Sequence, residues 1–408
     1  MKFHEFILTK PKSVISKSFG ATILIALSLL FISNNANSQS INNSKFGKGL
    51  QFVAADSSFS LKIGTRFQLL YAGGTEQALE QWDDRFLIRR ARLKFEGFAY
   101  TPRLEYKLQL GLSNNDIGGV DRENNEANNI ILDALVRYEM TPGLHLWVGQ
   151  TVLPGNRERI ISSQKMQFVD RSILNSRFNL DRDEGVQLHH QHAIGAVVLR
   201  EIGSISMGEG RNITINNSGG YDYTARFEIL PFGEFEGEGE YVGSDIYREE
   251  TPKLAIATAF NYNDDASREG GQVGDFLSEQ RDLRTWFVDA MFKYRGFSAM
   301  AEYATKAATN GPVVSLDDAG DVEEAFITGE ALNIQAGYLF KSNWEVAGRF
   351  TNYDPTAAIM LRDQQQYTLG LSKYIVGHSL KVQSDLTLQQ EQQRDDHYQF
   401  RVQLELAL

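Results

Sequence analysis

The 408-residue sequence contains no cysteine and only 8 prolines. Without cysteine it is neither a disulfide-stapled secreted scaffold nor a thiolate metal centre, and no mature N-terminal cysteine can carry a lipid anchor. Proline at about 2%, under half the usual ~5%, beside 25 Phe, 16 Tyr and 4 Trp, excludes a disordered or linker-like chain. Positive charge is also short, with 41 Lys and Arg against 52 Asp and Glu. Such a balance argues against nucleic acid, whose binding begins with phosphate neutralisation. One long hydrophobic run exists, at 19–32, and it falls short of the ~20 residues that span a bilayer as a helix. Lys2, Lys10, Lys12 and Lys17 precede it and Ala36-Asn37-Ser38 follows, the small-residue pattern a signal peptidase reads. Residues 1–38 are expected to be a cleaved secretory signal peptide. The mature chain then holds 37 basic and 51 acidic residues, a balance of −14.

What the mature chain has instead is alternation. In 61–71, Leu61, Ile63, Thr65, Phe67, Leu69 and Tyr71 fall on one face and Lys62, Arg66 and Gln68 on the other. Segment 90–97 sets Ala91, Leu93 and Phe95 against Arg90, Arg92, Lys94 and Glu96; segment 103–112 sets five apolar positions against Arg103, Glu105, Lys107 and Gln109. The same period returns at 332–340, at 380–388 and over the last nine residues. Runs of about ten residues suit strands that cross a bilayer, and a charged opposite face suits a wet lumen. Closure into a barrel also satisfies every backbone donor and acceptor in lipid.

Turn residues give the order. Thr-Pro-x-Leu occurs at 101–104, 141–144 and 251–254, and Pro231-Phe232-Gly233, Arg295-Gly296 and Lys341-Ser342-Asn343 mark further tight turns. Strands are placed near 59–71, 85–98, 102–112, 129–139, 143–150, 184–191, 196–206, 221–231, 253–262, 284–295, 296–306, 330–340, 344–353, 363–374, 379–390 and 397–408. The fold expected is all-β, a transmembrane antiparallel β-barrel of sixteen strands. Segment 232–252 alternates Glu234, Glu236, Glu238 and Glu240 with Phe235, Gly237, Gly239 and Tyr241, so eighteen strands is the alternative. The division expected is signal 1–38, a periplasmic N-terminal segment 39–58 and the barrel 59–408. Short turns define the periplasmic rim and long loops the outer one.

The third outward connection, 151–183, carries Ile160, Ile161, Met166, Phe168, Val169, Ile173, Leu174 and Phe178, too many apolar residues for a loop in water. It is expected to fold inward and narrow the channel. It also carries Arg157, Arg159, Lys165, Arg171, Arg177 and Arg182 against Glu158, Asp170, Asp181, Asp183 and the adjoining Glu184, so its cations either select anions or pair within the loop.

The chain from 45 to 408 resembles the phosphate-selective porins O and P, in particular their Bacteroidetes-type members. The resemblance is carried by KFGKGLQF at 45–52, IRRARLKF at 88–95, WVGQ at 147–150, LPGNRER at 153–159 and SRFNLDRD at 176–183. It implies a homotrimeric outer-membrane barrel passing small anions such as phosphate or polyphosphate through a basic constriction. It also implies outer-membrane lipid as the surrounding partner, with no cofactor and no nucleic acid. Carried over residue by residue, the pore-lining set expected is Arg66, Arg90, Arg92, Lys94 and Lys107 on the wall and Arg157, Arg159, Lys165, Arg171 and Arg177 on the loop. The inward glutamates at 234–240, the balance of −14 and the terminal Leu408 depart from the pattern, leaving a general low-selectivity porin or a loop-plugged structural barrel as alternatives.

No catalytic residue is expected: no G-x-S-x-G motif occurs, and Gly208-Glu209-Gly210 and Gly270-Gly271 lack the strand-to-helix setting of a phosphate-binding turn. His189, His190 and His192 lie beside a short turn, but alternation divides them between two faces, so no metal site is assigned to the trio.

Overall fold

The computed structural model describes residues 40–42, 45–76, 82–117, 129–214, 216–217 and 219–408; the expected signal segment 1–38 lies outside them. Sixteen long strands follow in order: β1 (Ser60–Glu76), β2 (Asp83–Ala99), β3 (Thr101–Gly111), β4 (Ile131–Thr141), β5 (Leu144–Val152), β6 (Arg182–Ile194), β7 (Val197–Ser206), β8 (Asp222–Leu230), β9 (Lys253–Arg268), β10 (Phe276–Tyr294), β11 (Phe297–Ala308), β12 (Gly329–Leu339), β13 (Trp344–Pro355), β14 (Gln364–Val376), β15 (Leu380–Glu391) and β16 (His397–Ala407). Each pairs antiparallel with the next, and β16 returns to β1 with His397 opposite Glu76 and Ala407 opposite Arg66. The ladder is closed, so no barrel edge is left unpaired. Two short strands, Ser40–Asn42 and Leu50–Val53, extend the start of β1.

The wall is inside out relative to a soluble protein. On β8, Asp222, Thr224, Arg226 and Glu228 are buried while Tyr223 and Phe227 are exposed; on β10, Thr285, Phe287 and Asp289 are buried while Trp286 and Val288 stand half exposed. An apolar belt of this kind around a polar interior is what lipid demands. The expected alternation holds on every segment quoted for the sixteen strands, and at the first Thr-Pro reversal the chain turns at Tyr100, in a left-handed conformation at φ 65, with Pro102 inside β3 as the expected strand at 102–112 has it.

The eighteen-strand alternative is corrected. Residues 232–252 add no strand; they make turns and a short 3-10 helix at Gly239–Tyr241. Gly237 and Glu238 are both left-handed, with φ of 59 and 55, which breaks the extended chain that the Glu/apolar alternation suggested. A Cβ on Gly237 would collide with the Tyr247 ring. The segment instead runs into the barrel, where Lys293 donates to the Ser244 carbonyl (2.7 Å) and the Gly296 amide to Asp245 (2.6 Å).

The connection from Leu153 to Asp181 contains two short helices, α1 (Arg157–Ile160) and α2 (Ile173–Phe178). The Ser172 side chain caps α2 by accepting from the Asn175 amide at 3.2 Å. The loop touches inward side chains on β1, β2, β8, β10, β11, β12, β13 and β15, which only a segment inside the lumen can do. Leu153, Ile173, Leu174, Phe178 and Leu180 pack with Ala259, Phe287, Ala304, Ala331 and Tyr353; Ile161 and Met166 pack with Leu230, Phe235, Ala255, Met291 and Met300. Small inward residues on β9, β11 and β12 make room for these anchors. Each large one, once buried, is worth about 1.5–3 kcal/mol.

Candidate functional site: a cation-lined cavity

The loop covers one side of the lumen and leaves the other open. A cavity of about 1140 Å³ remains between the loop and the inner faces of β2 to β7, with Arg401 of β16 at its margin. Twelve of its lining residues are Arg or Lys and six are Asp or Glu, so its wall is positive although the chain is acidic. The covered side is the reverse. There the loop lies over Glu228, Asp289, Glu302 and Glu345, all buried.

Arg157 joins the two. It is fully buried, and its guanidinium donates to Asp289 (2.7 Å), Glu228 (2.5 Å) and the Glu240 carbonyl (3.1 Å). Arg226 completes the cluster by donating to Asp289 (2.8 and 3.0 Å) and to the Gly155 carbonyl (2.7 Å). Two neighbouring carboxylates outweigh the burial that would otherwise discharge it, and the Arg157 guanidinium is held above its ordinary range. Gly243 of the 232–252 segment donates to the Lys165 carbonyl (2.8 Å), so the loop and the segment from the short-turn side meet within the barrel.

On the open side the centre is Asp170. Arg89 reaches its two carboxylate oxygens at 3.0 and 2.8 Å, Arg90 stands at 3.7 Å and Arg401 at 3.8 Å. Burial pushes the Asp170 carboxyl up, but Arg89, Arg90 and Arg401 together hold it below the carboxylate range. Adjacent residues cannot both face inward on a regular strand, yet Arg89 and Arg90 do. The reason is a β-bulge: Gln68 pairs with Arg90 and Leu69 with Ile88, leaving Arg89 without an opposite number and turned inward.

Six of the ten expected pore residues line the cavity: Arg90, Arg92, Lys107, Arg159, Lys165 and Arg171. Arg92 pairs with Asp116 (2.6 Å), Lys107 with Asp133 (3.2 Å) and Arg159 with Asp181. Among the described residues Arg171 donates to carbonyls, of Glu158 (2.9 Å) and Ile161 (2.7 Å). Burial, then the Arg159 and Arg90 guanidiniums, pull it well below its ordinary range. Cations crowded in this way favour an anion among them.

Four expected residues stand elsewhere. Arg157 is locked against the acidic wall, as described. Arg66 is buried beneath the loop, donating to Ser163 (2.6 Å) with Glu405 at 3.7 Å. Lys94 pairs with Glu96 at 2.8 Å outside the cavity, and Arg177 lies over the Tyr353 ring, 5.3 Å from its centroid. The sequence reading missed Arg89, Arg137, Arg200, Arg211 and Arg401, which do line it, as does Arg182, named among the loop's cations but left out of the expected pore-lining set. Alternation marks Arg401 as inward, while the bulge behind Arg89 leaves no trace in composition.

Residues 61–399 match the family described as phosphate-selective porin O and P. The chain belongs to that family. This porin also shares its barrel with solved structures of low identity. The anion-selective porin from Comamonas acidovorans aligns at TM-score 0.54 and 12% identity, over 86% of this chain and 100% of that one. Salmonella typhi OmpF in complex with daunomycin gives 0.52 and 14%, over 86% and 99%. The trimer form of in-vitro folded OmpT from Vibrio cholerae gives 0.52 and 9%, over 85% and 99%. At such identity the likeness shows the fold. No curated protein sequence matches the chain. Family and barrel together make it a porin of the bacterial outer membrane, in a class of diffusion channels and not of enzymes.

Proposed function

We propose that this porin passes small anions, with phosphate or polyphosphate as the preferred class, through the cavity between the 153–181 loop and β2 to β7. The observation that carries the reading is the separation of charge: Arg and Lys outnumber Asp and Glu on the open wall, while Glu228, Asp289 and Glu302 lie buried under the loop. A permeating ion responds only to charges within about a Debye length, ~8–10 Å, so the wall decides and the net charge of the chain does not. Forked guanidinium donors such as those of Arg89, Arg159 and Arg171 match phosphate oxygens. The loop acts as the constriction. The chain is taken to assemble as a homotrimer, as its family resemblance implies and as the OmpT trimer form illustrates for a similar barrel. Residues 1–38 are taken to be removed on export, with 39–58 on the periplasmic side.

The test is phosphate block of chloride current in a planar bilayer. Arg92→Ala and Arg159→Ala each remove a cation and release a carboxylate into the cavity. Each is expected to raise the half-blocking phosphate concentration by about tenfold, equivalent to ~1.4 kcal/mol. Block unchanged in both variants would overturn the assignment of the site.

A further inference from the structure

The divided histidines mark a different place on the molecule. His189 faces the lumen, its ring stacked on Trp147 at 3.9 Å. His190 and His192 are two residues apart on β6 and leave its opposite face, the one that exposes Val186 and Leu188. Glu201 of β7 pairs directly with His190 and shares that outer face. The cross-strand neighbours there are apolar: Leu144 opposite His190, Leu199 opposite His192 and Phe227 opposite Glu201. A carboxylate amid Leu and Phe on the outer wall of a membrane barrel is costly unless a positive charge answers it.

The geometry supplies donors for that charge. His190 Nδ1 lies 3.0 Å and His192 Nδ1 3.7 Å from the same Glu201 oxygen. One ligand atom from each of the three residues falls within 4.8 Å of the others. The two imidazoles stack at 5.0 Å and 24°, which brings both Nδ1 atoms toward Glu201. The His192 Nδ1 is shielded from solvent and has no hydrogen-bond partner among the described residues, a polar atom that a metal bond would satisfy. Donors around a tetrahedral ion bound at ~2.0–2.2 Å are roughly 3.3–3.5 Å apart, between the two distances seen here. Two imidazole nitrogens with one carboxylate oxygen suit zinc, nickel or copper and not the hard all-oxygen cations.

We propose that His190, His192 and Glu201 form a binding site for a borderline divalent cation on the outer wall, beside the short turn between β6 and β7. The ion neutralises Glu201 and leaves a fourth coordination position open to water. By strand alternation the three side chains leave the face of the wall opposite the anion path, although His190 itself also borders the cavity.

The experiment is zinc titration against a chromophoric chelator, with the full chain folded in detergent. One zinc per chain is expected, with affinity falling by at least about tenfold in both His192→Ala and Glu201→Gln. His189→Ala, on the lumen face, is expected to bind as the unchanged protein does. Calcium in excess is expected not to displace the zinc. If Glu201→Gln does not fold, His192→Ala decides alone. No zinc uptake, or uptake unaltered in His192→Ala, would overturn the site.

Discussion

Asp170 occupies the place among Arg89, Arg90 and Arg401 that a phosphate oxygen would take, at 2.8 to 3.8 Å from their nitrogens. On the proposed function the loop's own carboxylate competes with the solute for these guanidiniums. Asp170→Asn keeps the shape and removes the charge; phosphate block of chloride current is expected at about one tenth of the concentration, ~1.4 kcal/mol in favour of the solute. Arg157 shows the opposite use of the same residue type. Arg157→Met would remove one of the two guanidiniums that Glu228 and Asp289 share, leaving them Arg226, and removing one member of a buried ion cluster costs up to about 3–5 kcal/mol. A lower melting temperature in detergent, measured by loss of β-sheet circular dichroism, checks this. The sequence shows Arg157 and Asp170 in one loop with nothing to tell which wall each will meet. Their roles diverge because one reaches the acidic wall and the other residues of the loop border the cavity, a distinction made by strands 70 and more residues away.

At the scale of elements, sixteen strands were legible because apolar and polar residues alternate wherever the wall meets lipid. Strand ends were less so. β1 continues to Glu76, and β9 and β10 extend to Arg268 and back to Phe276, well into stretches read as loops. Beyond the apolar belt both faces of a strand meet water or neighbouring loops, and the period-2 signal fades. Segment 232–252 misled in the other direction: its glutamates alternate, yet two left-handed residues fold it inward. The loop's seat has a similar dependence on single residues. Gly370 on β14 lies inward, and a Cβ there would stand 3.0 Å from the Phe168 ring. Gly370→Val is expected to displace Phe168 and loosen the loop, giving larger and noisier single-channel currents; a conductance trace like that of the unchanged protein would count against a constricting role.

The loop's attachment also sets a pH dependence. Asp170 is held below the ordinary carboxylate range, so the stabilisation from its arginine partners is fully present above that range and is lost only as pH falls through the lowered value. Asp181, raised by burial but held down by Arg159 and Arg182, behaves alike. Conductance at fixed ionic strength is therefore expected to stay level from neutral pH to about pH 4, the ordinary carboxylate range. Opening of the channel well above that pH would show that these contacts do not hold the loop.

For the whole molecule the instructive quantity is charge and its distribution. The chain's balance of −11 argues, taken as a sum, for a cation channel. The fold divides it: part of the acidity is buried under the loop on β8, β10, β11 and β13, and the basic residues of β2 to β7 are left facing the open cavity. Which lumen charges are covered depends on where 153–181 packs, and that in turn on the small residues of β9, β11 and β12 that receive it. Local alternation carries no record of such a long-range match, which is why the barrel was legible in the sequence and the composition of its open wall only partly so. The direct measurement is the reversal potential of the reconstituted porin under a gradient of potassium chloride. A potential of the sign set by chloride is the result expected from a positive open wall, and one of the sign set by potassium would contradict it.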